Sequence, residues 1–304
     1  MFLMVLRLAL VLSLFVVVTP APTANGTLRL RVSGANILVV TRGIRLDPEM
    51  MAGYVECSAK AVASYYGSFP VDSLTIRIKP ATGKGVKYGN ASGWNGASIN
   101  LHIGIDSSED DLADDWILIH ELLHLGIPSL DERYSWLEEG IATYVEPILR
   151  ARAGLISRDE VWQEWLANMP KGLGSARSGL NYARSWSSIY WGGALFCLLA
   201  DIEYRQKYGS SLEEALRAVN AAGGNITEYW SIERMLATAD QPSRSPVLKS
   251  LFRKMSDKPY EVNLQVLWKA LGVELRAGRV IYDRTAPLAR VRDQIVPSYD
   301  PKRY

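Results

Sequence analysis

Ile119-His120-Glu121-Leu122-Leu123-His124, followed by Trp136-Leu137-Glu138-Glu139-Gly140-Ile141-Ala142-Thr143-Tyr144-Val145-Glu146, is the stretch from which the rest of the chain is read. The protein carries three histidines, and two of them stand four apart with a glutamate directly after the first. On a helix, positions i and i+4 share one face with side chains about 5–6 Å apart, so two imidazoles can grip one metal ion. Glu121 lies about 100° round the helix from His120. It cannot easily join the same ion, but it can reach a water beside it. That is the physical content of H-E-x-x-H: two zinc ligands and a general base. The bland alternative is a pair of half-buried helix histidines. The apolar Trp116-Ile117-Leu118-Ile119 leading into the motif and the caps at both ends of its helix favour the metal.

A catalytic zinc keeps three protein ligands and one open position. His102 precedes the motif and reads as a polar residue on a strand, and the position where a metzincin places its third histidine holds Leu130. A carboxylate must therefore complete the set. Glu138 and Glu139, early in a helix predicted over 131–152, both qualify by reach.

Upstream, alternation of apolar residues from Thr27 to Thr41 predicts paired strands around Ser33-Gly34. Asp47-Pro48 caps a helix that runs to Tyr66 and stops at Gly67. Ser73 to Pro80 reads as another strand, Gly83 to Gly96 is rich in glycine and asparagine, and Ala97 to Ile103 alternates again. Ser107-Ser108-Glu109-Asp110 caps a motif helix expected over 111–125, ended by Gly126. Downstream the pattern is helical: 157–168, 188–208, 212–221, 228–239, 246–255 and 264–271, with capping boxes at Ser157-x-x-Glu160 and Ser211-x-x-Glu214. A glycine- and serine-rich loop is expected between Met169 and Trp186, and a hairpin around Ala277-Gly278 before a basic end. The resulting division is 1–24, 25–155 with the sheet and metal helices, 156–272 helical, and 273–304.

Composition is that of a soluble globular protein, with 48% hydrophobic and 22% charged residues. A net charge of +2 gives no field that would favour nucleic acid. The charged start, the apolar run from Leu8 to Val18 and the small residues after it predict a signal peptide over 1–24, or an anchor over 2–18 that ties the chain to a membrane if uncleaved. The expected location is thus periplasmic or secreted. Cys57 and Cys197 are either one disulfide or two buried thiols. Asn25-Gly26-Thr27, Asn90-Ala91-Ser92 and Asn225-Ile226-Thr227 fit the glycosylation sequon, which matters only in a host that modifies exported proteins.

The combination resembles the gluzincin metallopeptidases, in particular the aminopeptidase N and glycyl aminopeptidase branch. Their W-L-x-E-G-x-A helix is matched from Trp136 to Ala142, and the resemblance assigns the third ligand to Glu139. It matches Glu146 to a downstream glutamate, and helical phase places that residue on the face of Glu139, behind a ligand. Their Y-x-K-G segment is matched at Tyr190 and Gly193, with Gly192 in place of the lysine, and the resemblance implies that Tyr190 is the donor to the developing oxyanion. The spacer from His124 to Glu139 is shorter than in aminopeptidase N. The G-x-M-E-N segment, whose glutamate holds a substrate's free amino terminus, has no match in Gly93-Trp94-Asn95-Gly96. The resemblance implies an α+β, thermolysin-like core with a mixed sheet and the H-E-x-x-H helix, then a mostly helical portion. It also implies one zinc ion, a peptide or protein substrate, and an edge strand over roughly 93–101 along which that substrate lies. The expected activity is hydrolysis of peptide bonds, internal or amino-terminal. Its rivals are a peptide- or partner-binding protein with structural zinc, and a zinc hydrolase of other amides.

Overall fold

The structure, a computed structural model, describes residues 25–44 and 46–297. The expected export segment 1–24 and the end of the basic tail lie outside them. β1 (Gly26–Val32) and β2 (Ala35–Thr41) form an antiparallel pair, with Ser33 and Gly34 at positive φ in the turn. α1 (Pro48–Tyr66) follows, its Asp47 side chain accepting from the Glu49 and Met50 amides and its end set by Gly67 at φ 86°. β3 (Ser73–Ala81), β4 (Val86–Ser92) and β5 (Ser98–Gly104) complete a mixed five-stranded sheet in the order β1-β2-β3-β5-β4. The pairs β2–β3 and β3–β5 are parallel, and the outer strands β1 and β4 run antiparallel to their neighbours. Alternate residues of the inner strands, such as Ile37, Val39, Leu74, Ile76, Ile78, Ile99, Leu101 and Ile103, are buried in one core. Period-two burial of this kind fixes the register, since a one-residue slip would turn each of them to the other face.

One expectation is corrected here. The edge beside the motif helix is β4, within the stretch read as a glycine-rich connection. The segment from Ser98 to Leu101 lies inside the sheet between β3 and β4.

The motif helix is also divided. α2 (Glu109–Ala113), with its Ser108–Asp111 capping box, stops, and α3 (Ile117–His124) begins afresh. The reason is Asp115, whose carboxylate accepts from the Ile117 and Leu118 amides at 3.0 and 2.9 Å and also receives the Tyr54 hydroxyl. A side chain that satisfies the first amides of a helix starts that helix. Asp115→Ala removes this cap and orphans a half-buried phenol, so we expect it to cost about 2 kcal/mol in urea unfolding. A loss under about 0.5 kcal/mol would show that Asp115 does not hold the helix start.

α4 (Ser135–Arg152) and α5 (Arg158–Gly172) lead to α6 (Trp186–Glu203), with short 3-10 turns at 173–175 and 180–182 where a loop was expected. α4 and α6 cross at Gly140 and Gly193. A Cβ on Gly193 would stand 1.9 Å from the Trp136 carbonyl oxygen and 2.6 Å from the Gly140 Cα. Buried Asp201 fastens the crossing by accepting from the Tyr144 hydroxyl and the Leu212 amide.

The helical remainder is α7 (Leu212–Ala221), α8 (Ile232–Ala239), α9 (Val247–Met255), α10 (Leu264–Leu271) and α11 (Ala289–Ile295). β6 (Val273–Arg276) and β7 (Arg279–Tyr282) form the hairpin, turning at Ala277-Gly278. Where a helix was expected from Glu228, residues 226–230 are instead pinned to the chain after α3. The Ile226 amide bonds to the Leu125 carbonyl, the Ser129 amide to Glu228, and the Trp230 amide to Ser129. Cys197 is buried and Cys57 exposed, both as free thiols.

Candidate active site

α3 and α4 bring His120, His124 and Glu139 together. One Glu139 oxygen lies 3.1 Å from His120 Nε2 and 3.6 Å from His124 Nε2, and a ligand atom from each residue falls within 4.8 Å of the others. The donor set, two imidazole nitrogens and one carboxylate oxygen converging on one point, fits a zinc ion with a position left open. Glu138, the other carboxylate within reach, instead accepts the Leu130 amide at 2.9 Å. Of the two, only Glu139 turns toward both histidines.

Glu139 and His120 are held in the forms that ligate a cation. Burial works against an ionised Glu139, yet hydrogen bonds from His120 and His124 hold its carboxyl well below the usual range. Burial pushes His120 down and so favours the neutral imidazole that ligates. Burial acts the same way on His124, but the adjacent Glu139 outweighs it and raises that imidazole.

Glu121 is buried, and one of its oxygens accepts the Ala91 amide of β4 at 2.7 Å. This contact depends on the strand lying close. At Gly89 a Cβ would stand 2.5 Å from Ile117 Cγ2 and 2.7 Å from Glu121 Cγ, so only glycine lets the two elements meet. Burial raises the Glu121 pKa against the lowering effects of His124 and Ala91, a direction suited to a group that must both accept and return a proton. Tyr190, from α6, lays its ring parallel to His120 with centroids 5.7 Å apart. Burial and then the nearby Glu139 charge hold its phenol well above the ordinary range, so it remains an O–H donor.

These groups open on a cleft of about 940 Å³ bounded by β4, α3, α4, α6 and residues 226–229. Two residues named from the sequence stand elsewhere. His102 sits on β5 with its ring against Tyr88. Glu146 is buried on α4 and faces Arg150 at 3.5 Å, its Oε1 lacking a hydrogen bond; its ion-pair partner is that arginine and not a metal-site histidine. Asp115, Gly89 and Ala91 are not legible as site residues in the sequence pattern. Asp115 did carry a signal, being a capping residue type two positions before an apolar helical run. The stretch to compare with G-x-M-E-N is Gly89-Asn90-Ala91-Ser92-Gly93, which keeps the opening glycine and has Ser92 where that pattern has its glutamate.

No family model and no curated protein matches the chain. Solved structures do. An aminopeptidase N family protein from Idiomarina loihiensis aligns with a TM-score of 0.62 at 17% identity, over 83% of this chain and 50% of its own. The M1 zinc metallopeptidase from Deinococcus radiodurans aligns at 0.51 and 16%, over 79% and 52%; a mutant of it is solved with a Tyr-Ser-Ala substrate. Yeast LTA4 hydrolase in complex with bestatin aligns at 0.51 and 14%, over 78% and 40%. The chain thus has the α+β fold found in gluzincin aminopeptidases, and spans about half the length of the solved structures it matches.

Proposed function

We propose that the chain is an exported zinc metallopeptidase that hydrolyses peptide bonds. The observation that carries this reading is the convergence of His120, His124 and Glu139 beside Glu121 and Tyr190 in one cleft. One zinc ion held there would supply Lewis acidity and lower the pKa of a water to about 7. Glu121 takes a proton from the attacking water and hands it to the leaving amine. Tyr190 donates its O–H to the oxyanion that develops at the carbonyl. β4 is the edge strand of the sheet, and beyond the Ala91 amide that Glu121 already holds, an extended peptide would add along it as a further strand. A protein that only binds a partner needs neither Glu121 nor Tyr190, which disfavours that rival. Gly89 to Gly93 present no carboxylate to hold a free amino terminus, so nothing on this strand restricts cleavage to chain ends.

Expressed from residue 25, the protein should contain one zinc per chain and cut a peptide library. Cleavage should stop on chelation and return with added zinc. Protein that stays metal-free and inert after zinc addition would overturn the proposal. The same library tests Tyr190→Phe. Loss of one oxyanion donor costs about 10²–10³-fold in kcat, and we expect that loss with zinc content and KM unchanged. A kcat within threefold of the wild type would remove Tyr190 from the chemistry.

A further inference from the structure

Five aromatic side chains that the proposed chemistry leaves unused line the cleft: Tyr88 on β4, Trp94 just after it, Trp116 directly before α3, Trp186 opening α6, and Tyr229 on the pinned segment. Trp94 is 83% exposed, Trp186 75% and Tyr229 69%, the three highest values for large apolar side chains among the described residues. Single exposed apolar residues need no explanation, but several gathered at one mouth mark a binding surface.

The rings are ordered with respect to the metal residues. Trp116 meets His120 edge-on at 5.4 Å, His120 stacks on Tyr190 at 5.7 Å, and Trp186 leans on Tyr190 at 5.4 Å. The row therefore ends in a tryptophan on either side of His120 and Tyr190. Successive side chains of an extended peptide point in opposite directions, and in this cleft Trp116 and Trp186 stand at opposite ends of the row through His120 and Tyr190. β4, the edge strand of the sheet, lines the same cleft and suits a peptide backbone, which favours peptide over other partners that stack on tryptophan.

We propose that these rings are side-chain subsites flanking the scissile bond, and that the preferred substrates are extended peptide segments bearing aromatic or large aliphatic residues at the bond cut. The assignment rests on the peptidase reading above, and a binding assay with an inactive variant separates the two. In Glu121→Gln protein, tryptophan fluorescence should report peptide binding, since three of the nine tryptophans line the cleft. Peptides with Phe or Leu on both sides of a central bond should bind about tenfold or more tightly than those with Gly or Ser there. Trp186→Ala should abolish that difference and Trp186→Phe restore most of it, and Trp116→Phe should retain it. Trp186 is exposed enough to be removed without unfolding the protein. In the wild type, the cleavage map should show large apolar residues beside the bond cut. Equal affinity for both peptide sets, or insensitivity to Trp186→Ala, overturns the subsites. So does a saturable signal from phosphatidylcholine vesicles or a chito-oligosaccharide with none from peptide. Ring-dependent peptide binding without any wild-type cleavage would uphold the subsites and overturn the peptidase reading. Cleavage indifferent to the flanking residues would do the reverse.

Discussion

Glu121→Gln is expected to lower kcat/KM for peptide cleavage by about 10²–10⁴-fold, the usual contribution of a positioned proton-transfer group, with zinc content still one per chain. Glutamine preserves the size of the side chain, so the close contact with Gly89 survives, and its amide oxygen can still accept from Ala91. What it loses is the capacity to take up a proton. The three residues that converge for the metal are untouched, so metal analysis and thermal melting should match the wild type. Cleavage at an undiminished rate would remove Glu121 from the mechanism. Loss of zinc along with activity would instead mean that Glu121 helps to hold the site together.

The second large effect is structural. Gly193→Ala places a methyl group against backbone, the Trp136 carbonyl oxygen at 1.9 Å and the Gly140 Cα at 2.6 Å, and backbone cannot rotate aside. Overpacking of this kind typically costs 1–3 kcal/mol, and two helices forced apart place it near the upper end, about 3 kcal/mol. At roughly 2–4 °C per kcal/mol, Tm should fall by about 6–12 °C. Gly192→Ala is the internal control. Its added Cβ meets Leu180 Cδ2 at 2.8 Å and Ser175 Oγ at 3.3 Å, both side-chain atoms that can shift, and its Tm should change far less. If the two variants melt together, the helices do not depend on this contact. Because α4 carries Glu139 and α6 carries Tyr190, Gly193→Ala should also weaken zinc binding in the protein that remains folded.

The metal residues were readable from sequence because helical phase alone brings His120 and His124 to one face. The choice between Glu138 and Glu139 was not, since both reach the site and only the Leu130 amide draws Glu138 away. Elements closed by local chemistry were equally plain: Asp47 opens α1 and Gly67 ends it, and Ser211 opens α7. β4 escaped because an edge strand with both faces partly exposed carries no alternating pattern. Its strand character comes from pairing with β5, and its glycine from the helix that passes beneath. Residues 228–230 have a helix-like sequence, but their backbone bonds go to the chain after α3, a tertiary demand that no local pattern reveals. Glu146 shows the limit of phase arguments. It lies on the expected helix, yet Arg150, one turn along, is the partner it faces.

The stitching of residues 226–230 to Leu125 and Ser129 bears on how substrate enters. Those bonds make the wall of the cleft and the end of the histidine helix one continuous piece of hydrogen-bonded backbone. Residues 226–230 cannot swing away from the end of that helix unless the seam is broken. Access is then governed by rotation of the rim side chains, on the nanosecond timescale of exposed rotamers, and a bulky folded loop must present a strand already extended enough to pass between them.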